Sequence, residues 1–159
     1  SKPNLLYYFP SKEAIFNELM AGLLDTWLDP LRALDPAGEP LDEILAYVQR
    51  KLQMSRDFPR ESRLYANEIV QGAPRLHEVI AGDLAVLVEE KAQLLQSWMD
   101  AGKINHAHPK HLLFSIWSLT QHYADFDVQV RTLMGEEDPF DAAPEYLETL
   151  YRRMLTPEA

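Results

Sequence analysis

Residues 109–134 read PKHLLFSIWSLTQHYADFDVQVRTLM, and this stretch indicates the fold class of the chain. One set of apolar residues alternates four and three positions apart, the spacing of a helix that packs on other helices. This set is Leu112, Ile116, Leu119, Tyr123, Phe126, Val130 and Leu133. A second, mixed face carries Phe114, Trp117, Gln121, Ala124 and Val128. Because a helix with two apolar sides must be covered on both, the stretch predicts a core helix that also lies at a subunit interface.

Similar three- and four-residue spacing continues on both sides of this stretch and predicts an all-α fold. The predicted helical segments are 11–34, 40–56, 59–72, 74–101, 109–134 and 144–155. No alternating run rich in Val, Ile and Thr predicts a strand. Pro30 is expected to kink or interrupt the end of the first helix, because proline cannot donate a backbone hydrogen bond. Gly82 is expected to weaken the fourth helix.

The composition limits the class of protein. A chain of 159 residues with 47% apolar residues is expected to fold as one domain with a sizeable core. It has no apolar run of about 18 residues, so no membrane helix is predicted. It has no cysteine, which excludes disulfides and is compatible with the cytoplasm. The formal net charge of −10 predicts weak or no DNA binding by this chain alone, because DNA binding needs a basic surface.

The opening residues, SKPNLLYYFPSKEAIF, carry the most specific motif of the chain. Ser11 is a good N-cap for a long amphipathic helix, and Glu13 lies in the first turn of that helix. The order of aromatic cluster, Ser-Lys-Glu and long helix resembles the end of the helix-turn-helix in TetR-type transcriptional regulators. Leu6 departs from the aromatic residue that is commonest in that family. The resemblance extends to about Val130 and includes members that respond to pyrimidines.

The resemblance implies a division of the chain and a set of partners. Residues 1–10 would be the stub of the helix-turn-helix recognition helix, with the N-terminal part of the DNA-binding domain missing. Residues 11–159 would form the TetR-type C-terminal ligand-binding and dimerisation domain of a repressor. A homodimer through helices at about 109–134 and 144–155 is implied, with operator DNA bound by the full-length protein only. Neither a cofactor nor a membrane partner is expected.

The resemblance also points to DNA-binding candidates in the opening motif. These are Lys2, Asn4, Tyr7, Tyr8 and Lys12. Tyrosine hydroxyls and a lysine ammonium at the edge of a groove can bind phosphates. The alternatives are that Lys12 is a solvated surface lysine and that Tyr7 is a core aromatic residue.

The candidate effector is a small planar metabolite such as a pyrimidine. The candidate ligand-binding residues are Trp27, Tyr65, Asn67, Glu68, Trp117 and Gln121. A pyrimidine needs stacking surfaces, which Trp27 and Trp117 can supply, and paired donors and acceptors. The Gln121 amide both donates and accepts, which suits an imide edge. It remains open whether both tryptophans are ordinary core residues and whether Asn67 faces outward.

Two other classes of protein compete with this interpretation. One is a helical protein–protein interaction module without a ligand pocket, and a cavity lined by Trp27, Trp117 and Gln121 would count against it. The other is an enzyme that uses His122 and Asp125, which lie one turn apart. Because no nucleophile is indicated beside them, a buried hydrogen-bonded pair is the preferred interpretation.

Three histidines, His106, His108 and His111, suggest a metal site. Structural zinc usually needs four closed ligands, and no cysteine is available to complete the set. Surface histidines are therefore preferred, and no metal is expected.

Overall fold

The computed structural model describes residues 10–158, and within this range the chain is helical without strands. The prediction of an all-α fold is confirmed. The helices are α1 (Lys12–Arg32), α2 (Pro40–Asp57), α3 (Pro59–Val70), α4 (His77–Val79), a π-helical turn (Ile80–Leu84), α5 (Ala85–Asp100), α6 (Pro109–Asp125), α7 (Asp127–Met134) and α8 (Pro139–Leu155). None of these helices combines the length and apolar character that a membrane span requires.

Several helix ends lie where local sequence signals predict them. Ser11 has an extended backbone, and its hydroxyl accepts a hydrogen bond from the Ala14 backbone N–H at 3.1 Å. Four helices begin with proline, which has no N–H to leave unpaired in a first turn; these are α2, α3, α6 and α8. After α5, Gly102 has a φ of 68°, a conformation that glycine adopts without steric cost. The prediction of the first helix is confirmed to within two residues at its C-terminal end, and α1 continues through Pro30 to Arg32.

The predicted continuous helix at 109–134 is wrong, because the helix breaks at Phe126. Its backbone, at φ −113° and ψ 30°, separates α6 from α7. A tertiary contact accompanies the break: the Arg63 guanidinium on α3 donates to the Ala124 carbonyl oxygen at 2.9 Å. A carbonyl near the end of α6 is therefore paired with a side chain of another helix, and the chain changes direction after it.

Two further boundaries differ from the prediction. The last helix begins at Pro139, not at Pro144, because the Asp138 carboxylate accepts from the Phe140 backbone N–H at 3.0 Å and caps an earlier turn. The predicted helix at 74–101 is divided by the π-helical turn, where Gly82 has non-helical backbone angles (φ −96°, ψ −105°). The break in the helix at Gly82 agrees with the expectation that this glycine weakens the segment.

The main core forms where α2 packs on α6 and α8, and where α3 and α5 pack on α6. Its central side chains are apolar and fully buried, among them Ile44, Val48, Leu95, Met99, Leu113, Ile116 and Leu147. A second, smaller cluster of Met20, Ala73 and Leu76 joins the N-terminal half of α1 to the connection between α3 and α4. Tyr65 and Ile80 pack against both clusters, so they link the start of α1 to the main core.

Candidate ligand-binding site

A small inner cavity lies between α1, α2, α3, α6 and the π-helical turn. It is lined by Leu24, Trp27, Leu28, Tyr47, Lys51, Tyr65, Leu84, Trp117 and Gln121. Its volume is about 40 Å³. A single water molecule needs a cavity of about 10–15 Å³. The inner cavity therefore has room for a few waters or for one flat, small ring, but not for a bulky ligand.

Two aromatic side chains of the inner cavity are fixed by a hydrogen bond. The Trp117 indole Nε1–H donates to the Tyr47 hydroxyl oxygen at 2.7 Å. Burial raises the pKa of Tyr47 above its ordinary value, so the hydroxyl keeps its proton at neutral pH. No residue between 10 and 158 accepts that proton. The Tyr47 hydroxyl is thus oriented and still has a hydrogen bond to donate.

Two further donor groups belong to residues that line the inner cavity. The Trp27 Nε1–H is buried and has no hydrogen-bond partner in the described part of the chain. The Lys51 side chain is only 2% exposed, and its ammonium lies 4.7 Å from the centroid of the Trp27 ring. Burial lowers the pKa of Lys51 to about 7, and the charge of Asp125 partly opposes this effect. Leaving a buried donor unpaired costs about 1–3 kcal/mol, which an acceptor in the cavity would recover.

The structure brings four of the predicted ligand-binding residues together. Trp27, Tyr65, Trp117 and Gln121, from three different helices, all line the inner cavity. Asn67 is exposed on α3 and lines a separate outer groove. Glu68 is buried but lines neither space.

Glu68 instead holds the connection between α3 and α4. Its carboxylate accepts from the Arg75 backbone N–H at 2.7 Å and from the Arg75 guanidinium at 3.0 Å. The same guanidinium lies 4.5 Å from the centroid of the Phe16 ring on α1. Glu68 therefore fixes a contact between the α3–α4 connection and the first turns of α1.

The outer groove is a larger, open space between α3 and α6, with a volume of about 790 Å³. Its lining includes exposed apolar side chains, namely Ile69, Val70, Phe114 and Phe126. Tyr65, Trp117 and Gln121 line both spaces and so separate the outer groove from the inner cavity. The inner cavity is the better candidate site despite its smaller size, because the unpartnered buried donors are found there.

Sequence reasoning missed Tyr47 and Lys51. Both lie on α2, four residues apart, so they share one side of the helix. Val48 and Leu52 of the same helix are buried in the core. A lysine among apolar residues that face inward is the sequence signal that could have identified Lys51 as a buried residue. Tyr47 lies on the buried face of α2, and helical spacing carries no information about the partner of its hydroxyl.

The expected buried pair of His122 and Asp125 is wrong. The Asp125 carboxylate accepts a hydrogen bond from the Ser62 hydroxyl at 2.6 Å. Burial raises the pKa of Asp125, although this hydrogen bond and the charges of Arg63, Lys51 and His122 act to lower it. His122 is exposed, and its ring stacks on Phe126 with 4.9 Å between centroids. Both residues line the outer groove, but Asp125 is hydrogen-bonded to Ser62 and does not orient the imidazole.

His108 and His111 make local contacts at the start of α6, and His106 is exposed to solvent. His108 is the N-cap of α6, and its Nδ1 accepts from the His111 backbone N–H at 3.5 Å. The two rings meet edge to face at 4.6 Å. Within residues 10–158, no three His, Asp or Glu side chains are grouped closely enough to hold a metal ion.

Of the DNA-binding candidates, Lys12 is the first residue of α1 and is exposed to solvent. Lys2, Asn4, Tyr7 and Tyr8 lie outside the described residues.

The last helix presents an exposed apolar stripe, which we call the α8 stripe. It consists of Tyr146, Leu150 and Met154, which are 62%, 37% and 41% exposed and recur every fourth residue on one side of the helix. Phe114 and Phe126, at either end of the predicted interface helix, are also exposed. Large exposed apolar side chains at regular helical spacing indicate a surface that another chain covers.

The structure is thus an all-α domain with a small cavity among its middle helices and exposed apolar side chains on its last helix. The chain belongs to the TetR-type C-terminal family described as "YcdC-like protein, C-terminal region", which matches residues 20–158. It is also similar to the HTH-type transcriptional regulator RutR of Escherichia coli strain K12. The two are 47% identical over 135 residues, or 85% of this chain and 64% of that relative.

Regulators of the same name in Shigella flexneri and Escherichia coli O157:H7 match equally well, at 47% identity over 135 residues. The match spans less than two thirds of the length of these relatives, at 64%. The chain thus belongs to the TetR-type C-terminal family and is similar in sequence to transcriptional regulators named RutR.

Proposed function

We propose that this chain is the ligand-sensing, dimerising part of a cytoplasmic TetR-type repressor whose effector is a small planar metabolite such as a pyrimidine. The observation that carries the proposal is the inner cavity, which brings Trp27, Trp117 and Gln121 together around unpartnered donors. A cavity with these walls also counts against the alternative of an interaction module without a pocket. Enzymatic activity is not part of the proposal, because Asp125 is bound to Ser62.

The walls of the inner cavity suit a flat ring with a polar edge. The indoles of Trp27 and Trp117 and the phenol of Tyr65 offer apolar surfaces. The Gln121 amide can donate to a carbonyl oxygen and accept from a ring N–H at the same time. The side chain of Gln121 has no hydrogen-bond partner in the described residues, so both of its groups are open to a ligand.

A homodimer would use the exposed apolar side chains of the C-terminal helices, at about 109–134 and 144–155. A two-fold axis places the same surface of both subunits together, so one apolar stripe can cover its own copy. The α8 stripe and Phe126 supply such a surface. Light scattering at micromolar concentration is expected to give the mass of a dimer, and a monomer mass would contradict the proposal.

Helix α1 is the proposed link between the effector and DNA. Trp27 lines the inner cavity, and Lys12 begins the same helix next to the other DNA-binding candidates, which precede α1 in the proposed recognition-helix stub at 1–10. A ligand that binds one position of α1 more tightly than another shifts the population toward that position. In the full-length protein, this shift would change the spacing of the two DNA-reading heads of the dimer and hence the affinity for operator DNA.

The substitution Gln121→Leu tests the proposed site. It removes both polar groups of the amide while keeping an apolar side chain of similar size. We expect it to abolish binding of uracil in calorimetry and to leave the dimer intact. Gln93→Leu, at an exposed glutamine of α5, is the matched control and is expected to bind uracil normally. Unchanged uracil affinity of Gln121→Leu would contradict the assignment.

A further inference from the structure

We propose that Glu68 and Arg75 are positioning residues that hold the first turns of α1, residues 12–20, and carry a change at the inner cavity to them. The inference rests on the proposed function and names the residues through which its signal passes. The buried Glu68 carboxylate accepts from the Arg75 backbone N–H and from the Arg75 guanidinium. The same guanidinium lies 4.5 Å from the centroid of the Phe16 ring on α1. We call Glu68, Arg75 and Phe16 the Glu68 clamp.

The first turns of α1 depend on the α3–α4 connection for their packing. Among residues 12–23, Met20 is the only buried one. It packs on two residues of the connection, Ala73 and Leu76. Phe16, one turn earlier on the same side of the helix, packs against the same cluster. A change in the connection therefore moves or loosens the first turns of α1 without disturbing the main core.

Glu68 holds the connection in a backbone conformation that is unfavourable on its own. Ala73 has a φ of 53°, in the left-handed region that residues with a side chain rarely adopt. Such a conformation persists only where the surrounding structure fixes it. The Glu68 backbone carbonyl accepts from the Ala73 N–H at 2.8 Å, and the Glu68 carboxylate binds Arg75 two residues further on. One residue of α3 thus sets the path of the chain that supports α1.

The pairing of charges makes Arg75 the link between α3 and α1. The Glu68 side chain is only 2% exposed, so its carboxylate is strongly disfavoured without a basic partner. The Arg75 guanidinium supplies that partner at 3.0 Å. A planar guanidinium can bind a carboxylate through its edge and an aromatic ring through its face. Arg75 therefore ties a buried charge of α3 to the Phe16 ring of α1.

Tyr65 connects the inner cavity with the Glu68 clamp. It lines the cavity, packs against both the main core and the smaller cluster, and lies one turn before Glu68 on α3. A ring packed against Tyr65 restricts the motion of α3, and a more rigid α3 holds the contact between Glu68 and Arg75 more firmly. Filling the cavity should therefore order the first turns of α1. This route runs through α3 and is separate from the contact of Trp27 with the cavity.

Hydrogen exchange of the whole chain, followed by mass spectrometry, tests the positioning role without ligand. Arg75→Gln keeps the backbone hydrogen bond to Glu68 and removes the guanidinium from Glu68 and Phe16. We expect the amides of residues 15–20 to exchange about 10-fold faster, the smaller loss typical of a hydrogen bond to a charged group. The amides of residues 24–32 should stay within about twofold of the unmodified protein, because local openings of a helix differ from global unfolding.

Two further variants show whether the effect belongs to the guanidinium. Arg75→Lys keeps a positive charge for Glu68 and is expected to restore part of the protection at residues 15–20. Arg60→Gln, at an exposed arginine of α3, is the matched control and should exchange like the unmodified protein. Unchanged exchange at residues 15–20 in Arg75→Gln, or the same acceleration in every helix, overturns the positioning role.

The same measurement with saturating uracil tests the coupling. We expect uracil to slow exchange at residues 15–20 of the unmodified protein about fivefold or more, the lower end of typical coupling between sites. In Arg75→Gln this slowing should be lost, whereas Arg60→Gln should retain it. Because coupling is reciprocal, calorimetry should show the uracil affinity of Arg75→Gln lowered by no more than the same factor. A residue that only stabilised the fold would leave the slowing in place.

Each outcome decides between the two proposals. Uracil that binds but leaves exchange at residues 15–20 unchanged overturns the coupling and leaves the proposed function standing. Slowing that is as large in Arg75→Gln as in the unmodified protein overturns the route through the Glu68 clamp. Failure of uracil to bind the unmodified protein overturns the proposed function and the coupling, whereas the comparison without ligand still decides the positioning role.

Discussion

Replacing Lys51 by methionine is expected to stabilise the protein, because the lysine is buried without a charged partner. The unbranched methionine side chain fills nearly the same space between Trp27 and the core. Burial lowers the pKa of Lys51 from 10.5 to about 7, because the folded protein disfavours the charged amine. At about 1.4 kcal/mol per pKa unit, the cost is about 4–5 kcal/mol. Solvent entering the cavity and adjustment around methionine reduce the net gain to about 2–4 kcal/mol.

The pH dependence of this gain has a definite sign. The folded-state pKa of Lys51 is lower than the unfolded-state value, so between about pH 7 and 10.5 the unfolded chain holds one more proton. The free energy of unfolding therefore rises with pH across that window. The destabilisation caused by the buried charge of Lys51 is largest, and nearly constant, below pH 7. The advantage of Lys51→Met should accordingly be greatest at pH 6–7 and shrink as the pH approaches 10.

Urea unfolding followed by circular dichroism measures the effect. The unmodified protein, Lys51→Met and the control Lys103→Met are compared at one protein concentration, because dimerisation makes apparent stability depend on concentration. We expect a higher urea midpoint for Lys51→Met at pH 7 with an unchanged slope. A less stable variant, or an advantage that is the same at pH 7 and pH 9.5, would refute the account of Lys51 as a poorly compensated buried base.

Three other substitutions test separate contacts. Tyr47→Phe removes the acceptor of the Trp117 indole and should lower the free energy of unfolding by about 1–2 kcal/mol, measured by urea unfolding. Glu68→Gln weakens the two hydrogen bonds to Arg75 and should cost about 1.5–3 kcal/mol; an unchanged urea midpoint would show that the contact does not hold the α3–α4 connection. Leu150→Glu places a charge on the α8 stripe and should shift the dimer toward monomer in light scattering, whereas an intact dimer would place the interface elsewhere.

Matched controls exist for all three substitutions. For the first two substitutions, the control changes a residue of the same type whose side chain makes no hydrogen bond in the described part of the chain. For Leu150→Glu, the control changes an exposed apolar residue that lies outside the α8 stripe. The controls are Tyr123→Phe, Glu78→Gln and Val86→Glu. Each is expected to change the measured stability by less than about 0.5 kcal/mol.

The sequence predicted the features that depend on short-range physics. Ser11 is the N-cap of α1 because its hydroxyl bonds a backbone N–H three residues away, which the local sequence specifies completely. Trp117 and Gln121 were placed on one face of their helix by helical spacing, and both line the inner cavity, one turn apart on α6.

The features that were missed depend on partners distant in sequence. The break at Phe126 is associated with the contact of Arg63 with the Ala124 carbonyl, and periodicity within one helix carries no information about it. Lys51 was overlooked because a lysine is ordinarily solvated, and only the packing of α1 and α6 against α2 shows that this one is enclosed. Glu68 was expected among the ligand-binding residues, whereas its carboxylate accepts hydrogen bonds from Arg75, a partner in the connection that follows α3.

The most direct test of the central claim is a crystal structure of the chain grown with uracil. The account predicts electron density for the ring in the inner cavity, in contact with Trp27 and Trp117 and with the imide edge against Gln121. Density for uracil in the outer groove alone, or an inner cavity closed by Trp27 and Trp117 at saturating uracil, would contradict it.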